Sequence, residues 1–373
     1  MSFGPRESRF VKQIAPFIAS LAVLLSGCAT PTAPPPANIT SVAPSATGIP
    51  NSVASFGNFE FVSIQGPGLI FTYNLSTGLQ VQAAAPYATP CADPSGMVIS
   101  TTGASSVMAV VCYDTGTLLT LTVHSDGSLT ALGSVAGLPE PYPGIVLDGT
   151  NVFVPLFGQS SVANGGVARI SLASPANPVI TGTATLASPA PGEFANPGYL
   201  AVAGGYIYLA AGSESAPQST SSTIQVVNES TMALVGPPLV VAHSPQQIAV
   251  QGSTAYVTFY DAAQLESINI TNPASLQALQ IASLAAAPGC QALPIVLNGD
   301  TAYVGCYAEG VVEQFDITSP SSMKFTQTIP GIAAPQRLLI ANGNLLASSS
   351  TNGGAVYLIN LGAITLSGSV NTP

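Results

Sequence analysis

Apolar and polar positions along the chain fall into one recurring module. Segments beginning at Pro50 (PNSVASFGNFEFVSI), Tyr142 (YPGIVLDGTNVFVPL), Pro197, Pro245, Ala292 and Pro335 share it, and one from Pro94 fits with extra residues in its turn. The third residue after each start is apolar: Val53, Met97, Ile145, Leu200, Ile248, Ile295 and Leu338. Repeats at a period near 47 residues point to stacked supersecondary units. Each copy reads as a short apolar strand, a turn such as Gln251-Gly252-Ser253 or Asn298-Gly299-Asp300, and a nearly continuous apolar strand such as 255–260. That is the pattern of an antiparallel hairpin. A third strand is predicted at 69–75, 118–124, 167–172, 223–227, 265–270, 311–317 and 355–361. A more polar fourth follows, for example at 129–135 and 364–370. Continuous apolar inner strands with alternating outer ones suit a sheet buried on both faces near an axis and wetter at its rim. No stretch beyond the N-terminal segment carries a helical period. The pattern therefore predicts an all-β fold, a seven-bladed β-propeller with four antiparallel strands per blade, over 50–373. A β-sandwich does not repeat a four-strand module. The first copy begins at Pro50 and the last ends near Val370, so ring closure need not borrow a strand from the other chain end, with a swapped strand at closure as the alternative.

The N-terminal segment has a different pattern. Arg6, Arg9 and Lys12 precede an apolar run of 12 residues, 14–25, too short to span a bilayer as a helix but suited to a secretory signal. Leu25-Ser26-Gly27-Cys28 resembles the lipobox of bacterial lipoprotein signal peptides. The resemblance implies removal of 1–27, acylation of Cys28 and a lipid anchor in the cell envelope. Ala29 in place of Asp implies the outer membrane. Residues 28–49, rich in Pro, Ala and Thr, are expected to form a tether. In such a chain the Asn-X-Ser/Thr triplets at Asn38, Asn74, Asn228 and Asn269 are chance matches rather than glycosylation sites.

Composition narrows the function. The chain is 47% hydrophobic and 6% charged, with a net charge of −10, so it is neither disordered nor equipped with a basic stripe for nucleic acid. Cleavage before Cys28 leaves 3 basic and 15 acidic residues.

The segments TAYV at 254–257 and 301–304 resemble YVTN-type surface propeller repeats. ISLASPANPVITGTA from Ile170 and FDITSP from Phe315 resemble LVIVD-type repeats, and TVHSDGSLTALGSV from Thr122 is similar to blades of the lactonase-type seven-bladed family. These likenesses concern blades, not chemistry. The chain has no Trp, unlike quinone-binding, WD-repeat and kelch blades.

Besides Cys28, the chain has Cys91 and Cys290 before the first strands of copies two and six, and Cys112 and Cys306 at the ends of their second strands. Antiparallel pairing brings Cys91 to Cys112 and Cys290 to Cys306, two disulfides suited to an exported chain. No metal-ligand spacing and no cofactor motif is present, and no Asp-rich calcium run appears. In a propeller, the loops entering the first strand and those joining the second to the third surround one mouth of the central channel. Here they carry Asp93, Asp114, Glu140, Glu193, Glu214, His243, Asp261, Gln291, Glu309, Gln336 and Arg337. A hydrolase or isomerase reading would use His243 as base, Arg337 as oxyanion partner and Glu309 or Asp261 as orienter. The reading favoured by so few basic groups is a lipid-anchored interaction module that binds a protein, peptide or polysaccharide. The polar loops 158–166 and 212–222 are candidates for contact with it.

Overall fold

A computed structural model describes residues 39–42, 48–75, 81, 86–101, 106–157, 163–190, 193–212, 222–285, 289–350 and 355–362. These form seven four-stranded antiparallel sheets in a propeller, with no helix among the described residues. The innermost strands are Ile49–Phe56, Pro94–Ser100, Val146–Asp148, Asn196–Ala203, Pro245–Gln251, Ala292–Asn298 and Pro335–Ala341, which define blades 1 to 7 in chain order. Each pairs with a second strand, such as Thr254–Phe259 in blade 5, whose residues are all buried. The third strands expected from the sequence are present, from Leu69–Asn74 in blade 1 to Val356–Asn360 in blade 7. Outer strands are wet: in Gln277–Ser283 only Ala282 is buried.

The alternation has a simple cause. Inner strands lie between two neighbouring blades, so both faces meet apolar side chains, and the core is a ring of clusters between blades. Tyr256 and Leu265 of blade 5 pack with Val304 and Phe315 of blade 6. Phe61 and Ile70 of blade 1 pack with Met108 and Val110 of blade 2. First hairpins turn on left-handed glycines such as Gly252 and Gly299, at φ 58° and 54°, where a side chain would be strained.

Closure follows the strand-swapped alternative. The outer strand of blade 7 is Ile39–Val42, from within the stretch read as tether, and it pairs antiparallel with Val356–Asn360, Ile39 opposite Ile359 and Val42 opposite Val356. The strand expected at 364–370 lies outside the described residues, as do Cys28 and the signal segment. The chain start thus covers the open edge of the last blade, a protection an exposed sheet edge needs. Four residues, ITSV, were too short a run to show a period amid Pro and Ala.

Six innermost strands also begin with a register shift, as between Pro245 and Ile248 or Pro335 and Arg337. A bulge re-aims the side chains beside it, and here it falls where the strands enter the ring near its axis.

Candidate functional site at the channel mouth

At the repeat position just before the apolar anchor, the seven blades carry Ser52, Gly96, Gly144, Tyr199, Gln247, Pro294 and Arg337. The glycines lie on one arc, where backbones touch. A Cβ on Gly96 would sit 2.6 Å from the Pro143 carbonyl oxygen, and one on Gly144 2.5 Å from that of Gly198. The polar side chains come from the rest of the ring. Ser52 Oγ accepts the Met97 N–H at 3.1 Å and so ties blade 1 to blade 2. Gln247 Oε1 accepts the Ile295 N–H at 3.2 Å and ties blade 5 to blade 6. That contact fixes the amide, and its buried Nε2 faces the Tyr199 phenol.

Arg337 is 8% exposed, and its guanidinium carbon lies 4.8 Å from the ring centre of Tyr199, a cation–π contact across the channel from blade 7 to blade 4. Nη1 donates to the Gln336 carbonyl at 3.0 Å. The guanidinium also reaches the Tyr199 phenol, and among the described residues no carboxylate lies within ion-pair distance of it. Burial raises the Tyr199 phenol, opposed by the Arg337 charge and by side-chain hydrogen bonds from Gln247 and Arg337 to its oxygen. Ser348, opposite Arg337 in the sheet, has a buried hydroxyl without a partner.

Around this centre the mouth carries an aromatic collar. Immediately after the second strands of blades 2, 3, 5 and 6 stand Tyr113, Phe157, Tyr260 and Tyr307, all half-buried. Each backbone N–H donates to the carbonyl of the loop entering the first strand of its own blade, at Asp93, Glu140, Ser244 and Gln291 respectively. Tyr142 joins them, stacked on Phe157 at 4.7 Å and edge-on to Tyr113 at 6.2 Å. Its ring would meet a Cβ on Gly198 at 3.3 Å, so the collar reaches the strand that carries Tyr199.

Two of the mouth carboxylates hold loops. Asp114 accepts the N–H groups of Ala92 and Asp93, and Asp261 that of Ser244. Asp93 accepts from the amides of Asn51 and Gln65, yet burial, helped by Asp114, raises its carboxyl to about 6. Third-strand side chains brace the connections between blades in the same way. Gln225 bonds both backbone groups of Ala187, Glu313 accepts the Ala285 N–H, and Tyr357 the Ala333 N–H.

His243 and Asp261 pair at 3.5 Å between Nδ1 and Oδ2, both partly exposed, with the imidazole edge-on to Phe259. Buried Glu266 is raised by its burial and drawn back by His243. Arg337 stands apart with Tyr199, and Glu309 is exposed on the turn after Tyr307. No contact among the described residues joins His243, Arg337 and Glu309. Glu214, and most of the loops 158–166 and 212–222, lie outside the described residues. The structure has both expected disulfides, Cys91–Cys112 and Cys290–Cys306, with Cα separations of 5.9 and 5.3 Å. Among the described residues no group of three or more His, Cys, Asp or Glu is placed to hold a metal. Sequence reasoning missed Tyr199, Gln247 and the collar, although aligning the blades one residue before the anchor and one residue after the second strand displays all of them.

No known family model and no curated protein matches the sequence. The fold, however, is shared with many solved propellers. Virginiamycin B lyase from Staphylococcus aureus, in an inactive form with quinupristin, is 12% identical with a TM-score of 0.63, over 87% of this chain and 99% of that one. A putative 6-phosphogluconolactonase from Bacteroides fragilis is 13% identical with a TM-score of 0.59, over 81% and 87%. BamB from Moraxella catarrhalis is 14% identical with a TM-score of 0.55, over 84% and 85%. At such identities the likeness is one of fold alone, and the class that fold and site define is a seven-bladed β-propeller with a polar, aromatic-rimmed channel mouth.

Proposed function

We propose that this chain is a lipid-anchored, exported propeller of the cell envelope, held at the outer membrane through Cys28, that binds a protein, peptide or polysaccharide partner at its channel mouth. The collar carries the reading. Half-buried Tyr and Phe rings at one repeat position offer rigid, amphipathic contact area at little cost in side-chain entropy, the chemistry typical of recognition surfaces. The mouth carboxylates Asp114 and Asp261 already serve the loops, which leaves the rings and the axial polar groups to meet a ligand.

A second reading rests on the His243–Asp261 pair. A carboxylate on Nδ1 orients an imidazole for proton transfer from Nε2, as a lactonase-like hydrolase or isomerase needs.

One experiment separates the two. The purified chain immobilised without its signal segment is expected to recover an envelope component. A Tyr142→Ala, Tyr260→Ala double variant that keeps its thermal midpoint is expected to lose most of that recovery. Undiminished recovery defeats the collar assignment. Lactone turnover that vanishes in His243→Ala makes the protein an enzyme instead. For the anchor, Cys28→Ala is expected to release the protein from the membrane fraction, and unchanged retention defeats it.

A further inference from the structure

We infer that the channel mouth is built for cations, and that its partner is a peptide segment whose lysine or arginine side chains seat on two clusters of aromatic rings and carboxylates, on nearly opposite sides of the channel. The inference names the partner's chemistry for the binding reading above and rests on it.

The clusters come from one repeat position. Each collar tyrosine that follows a second strand has an acid within two residues of it: Tyr113-Asp114 in blade 2, Tyr260-Asp261 in blade 5 and Tyr307-Ala308-Glu309 in blade 6. Rings of neighbouring blades then meet. Tyr113 and Phe157 both pack on Tyr142 between blades 2 and 3, and Tyr260 lies beside Tyr307 between blades 5 and 6. Three blades of the seven separate the two clusters, about 150° around the ring. Both clusters reach solvent, since Asp114 and Glu309 are exposed and the rings are only half-buried.

Charge decides what such a surface takes. Asp114 accepts from the neutral N–H groups of Ala92 and Asp93, which leaves its charge in place. Among the described residues, no cation lies within ion-pair distance of Asp114 or Glu309. Asp93 is held up to about 6 by its burial and then by the charge of Asp114, so the charged neighbour that acts on it has the same sign. The basic groups of the mouth are engaged already: His243 faces Asp261, and Arg337 is buried against Tyr199. An anionic partner meets a field of its own sign. A neutral partner takes water from the carboxylates and supplies no counter-charge. A lysine or arginine side chain supplies that charge, and its head group is attracted to the face of a tyrosine as well. Its aliphatic stem covers the apolar part of the rings. Two clusters facing each other across the channel suit one chain carrying several such side chains, because the second contact is made within a partner already held by the first.

The test uses fluorescein-labelled peptides that alternate glycine with lysine, with acetyl-lysine or with glutamate, and a fourth that keeps a single lysine. Anisotropy on the disulfide-intact chain is the readout, at about 20 and about 300 mM NaCl, salt that shortens the reach of charge severalfold. The lysine peptide is expected to bind, and to bind about tenfold or more weakly at the higher salt. At the lower salt the other three are expected to bind about tenfold or more weakly than it does. Tyr307→Leu keeps apolar bulk but removes a ring face, and is expected to weaken the lysine peptide about two- to fivefold. Glu309→Gln is expected to weaken it about threefold or more. That residue lies on an exposed turn, so the variant keeps the test open should Tyr307→Leu misfold. Asp300→Asn removes the same charge from the turn of the first hairpin of blade 6, at the end of the blade away from the mouth, and is expected to change binding much less. Equal binding of the lysine and acetyl-lysine peptides, equal loss in Glu309→Gln and Asp300→Asn, or no binding of the lysine peptide at the lower salt overturns the inference. Recovery of the envelope component, measured in parallel, keeps the outcomes apart. Recovery that depends on Tyr142 and Tyr260 while the lysine peptide does not bind defeats the cationic partner and leaves the collar reading standing. Lysine-peptide binding that competes with recovery supports both, and lysine-peptide binding undiminished in the collar variant defeats both.

Discussion

Two arginines of this chain occupy opposite situations. Arg169, on the third strand of blade 3, donates through Nε to Thr181 Oγ1 at 3.0 Å and through Nη1 to the carbonyls of Glu229 and Ser230 at 2.8 and 3.0 Å. Nη2 reaches the Thr181 carbonyl at 3.3 Å. Four of its five N–H groups go to neutral acceptors that join blade 3 to a turn of blade 4. Arg337 bonds one carbonyl, lies over the Tyr199 ring and reaches that residue's phenol, with no carboxylate beside it. The residue type is the same, and the surroundings decide whether it staples neighbouring blades through carbonyls or spans the channel mouth to a tyrosine. A guanidinium cannot escape an unpaired site by losing its proton.

A buried carboxyl can escape in that way, which gives the sharpest contrast with Arg337 and the largest expected effect. Glu60, on the second strand of blade 1, is 4% exposed, and its Oε1 has no partner. Strand alternation places it on the side of Val62, which packs with Val356 of blade 7, so it lies at the seam where the ring closes. Burial pushes its carboxyl up to about 8. The folded value lies above the unfolded one near 4.3, so its neutral form is the one the fold tolerates. Its contribution to stability is full below the unfolded value and is lost as pH rises through about 8. Glu60→Gln should therefore flatten the pH dependence of stability between pH 5 and 9 and stabilise the alkaline end, by at most about 4 kcal/mol. Urea unfolding at a series of pH values checks this, and parallel curves for the two proteins would contradict it.

How much of this could be read from the sequence differs by level. The blades were legible because each must bury two strands on both faces, which forces apolar runs such as TAYV to recur. The disulfides were legible because strand pairing fixes which cysteines meet. Closure was not, since Ile39–Val42 owes its place to the open edge of blade 7, where Ile39 meets Ile359 and Val42 meets Val356, and not to any local period. The site was legible only in part. Arg337 and His243 stood out as rare cations, but their apparent kinship dissolved, because one belongs to the axis of blade 7 and the other to the rim of blade 5. Tyr199 and Gln247 look like ordinary strand residues until the bulges turn them toward the channel.

The arginine comparison can be broken directly. Arg169→Ala deletes four hydrogen bonds and leaves the carbonyls of Glu229 and Ser230 without their donor, and should cost about 1–3 kcal/mol. Arg337→Met removes a buried, unpaired charge along with its contacts to the Gln336 carbonyl and Tyr199, keeps much of the apolar volume, and should cost less than Arg169→Ala. Equilibrium unfolding of both variants gives the answer. Equal losses would mean that Arg337 is a staple as well.

The smallest effect belongs to the rim. Asp261 faces His243 at 3.5 Å, and the two side chains are 27% and 35% exposed, so water screens the pair. Its firmer bond is to the Ser244 N–H at 2.8 Å, which an amide oxygen accepts almost as well. Asp261→Asn should therefore cost less than about 1 kcal/mol, whereas Asp261→Ala, which abandons the Ser244 N–H, should cost more. If the two variants unfold alike, the backbone contact is immaterial and Asp261 is held at the mouth for its charge. That would turn attention from Arg337 to the imidazole it orients, and an assay for lactone turnover would then be the measurement to make first.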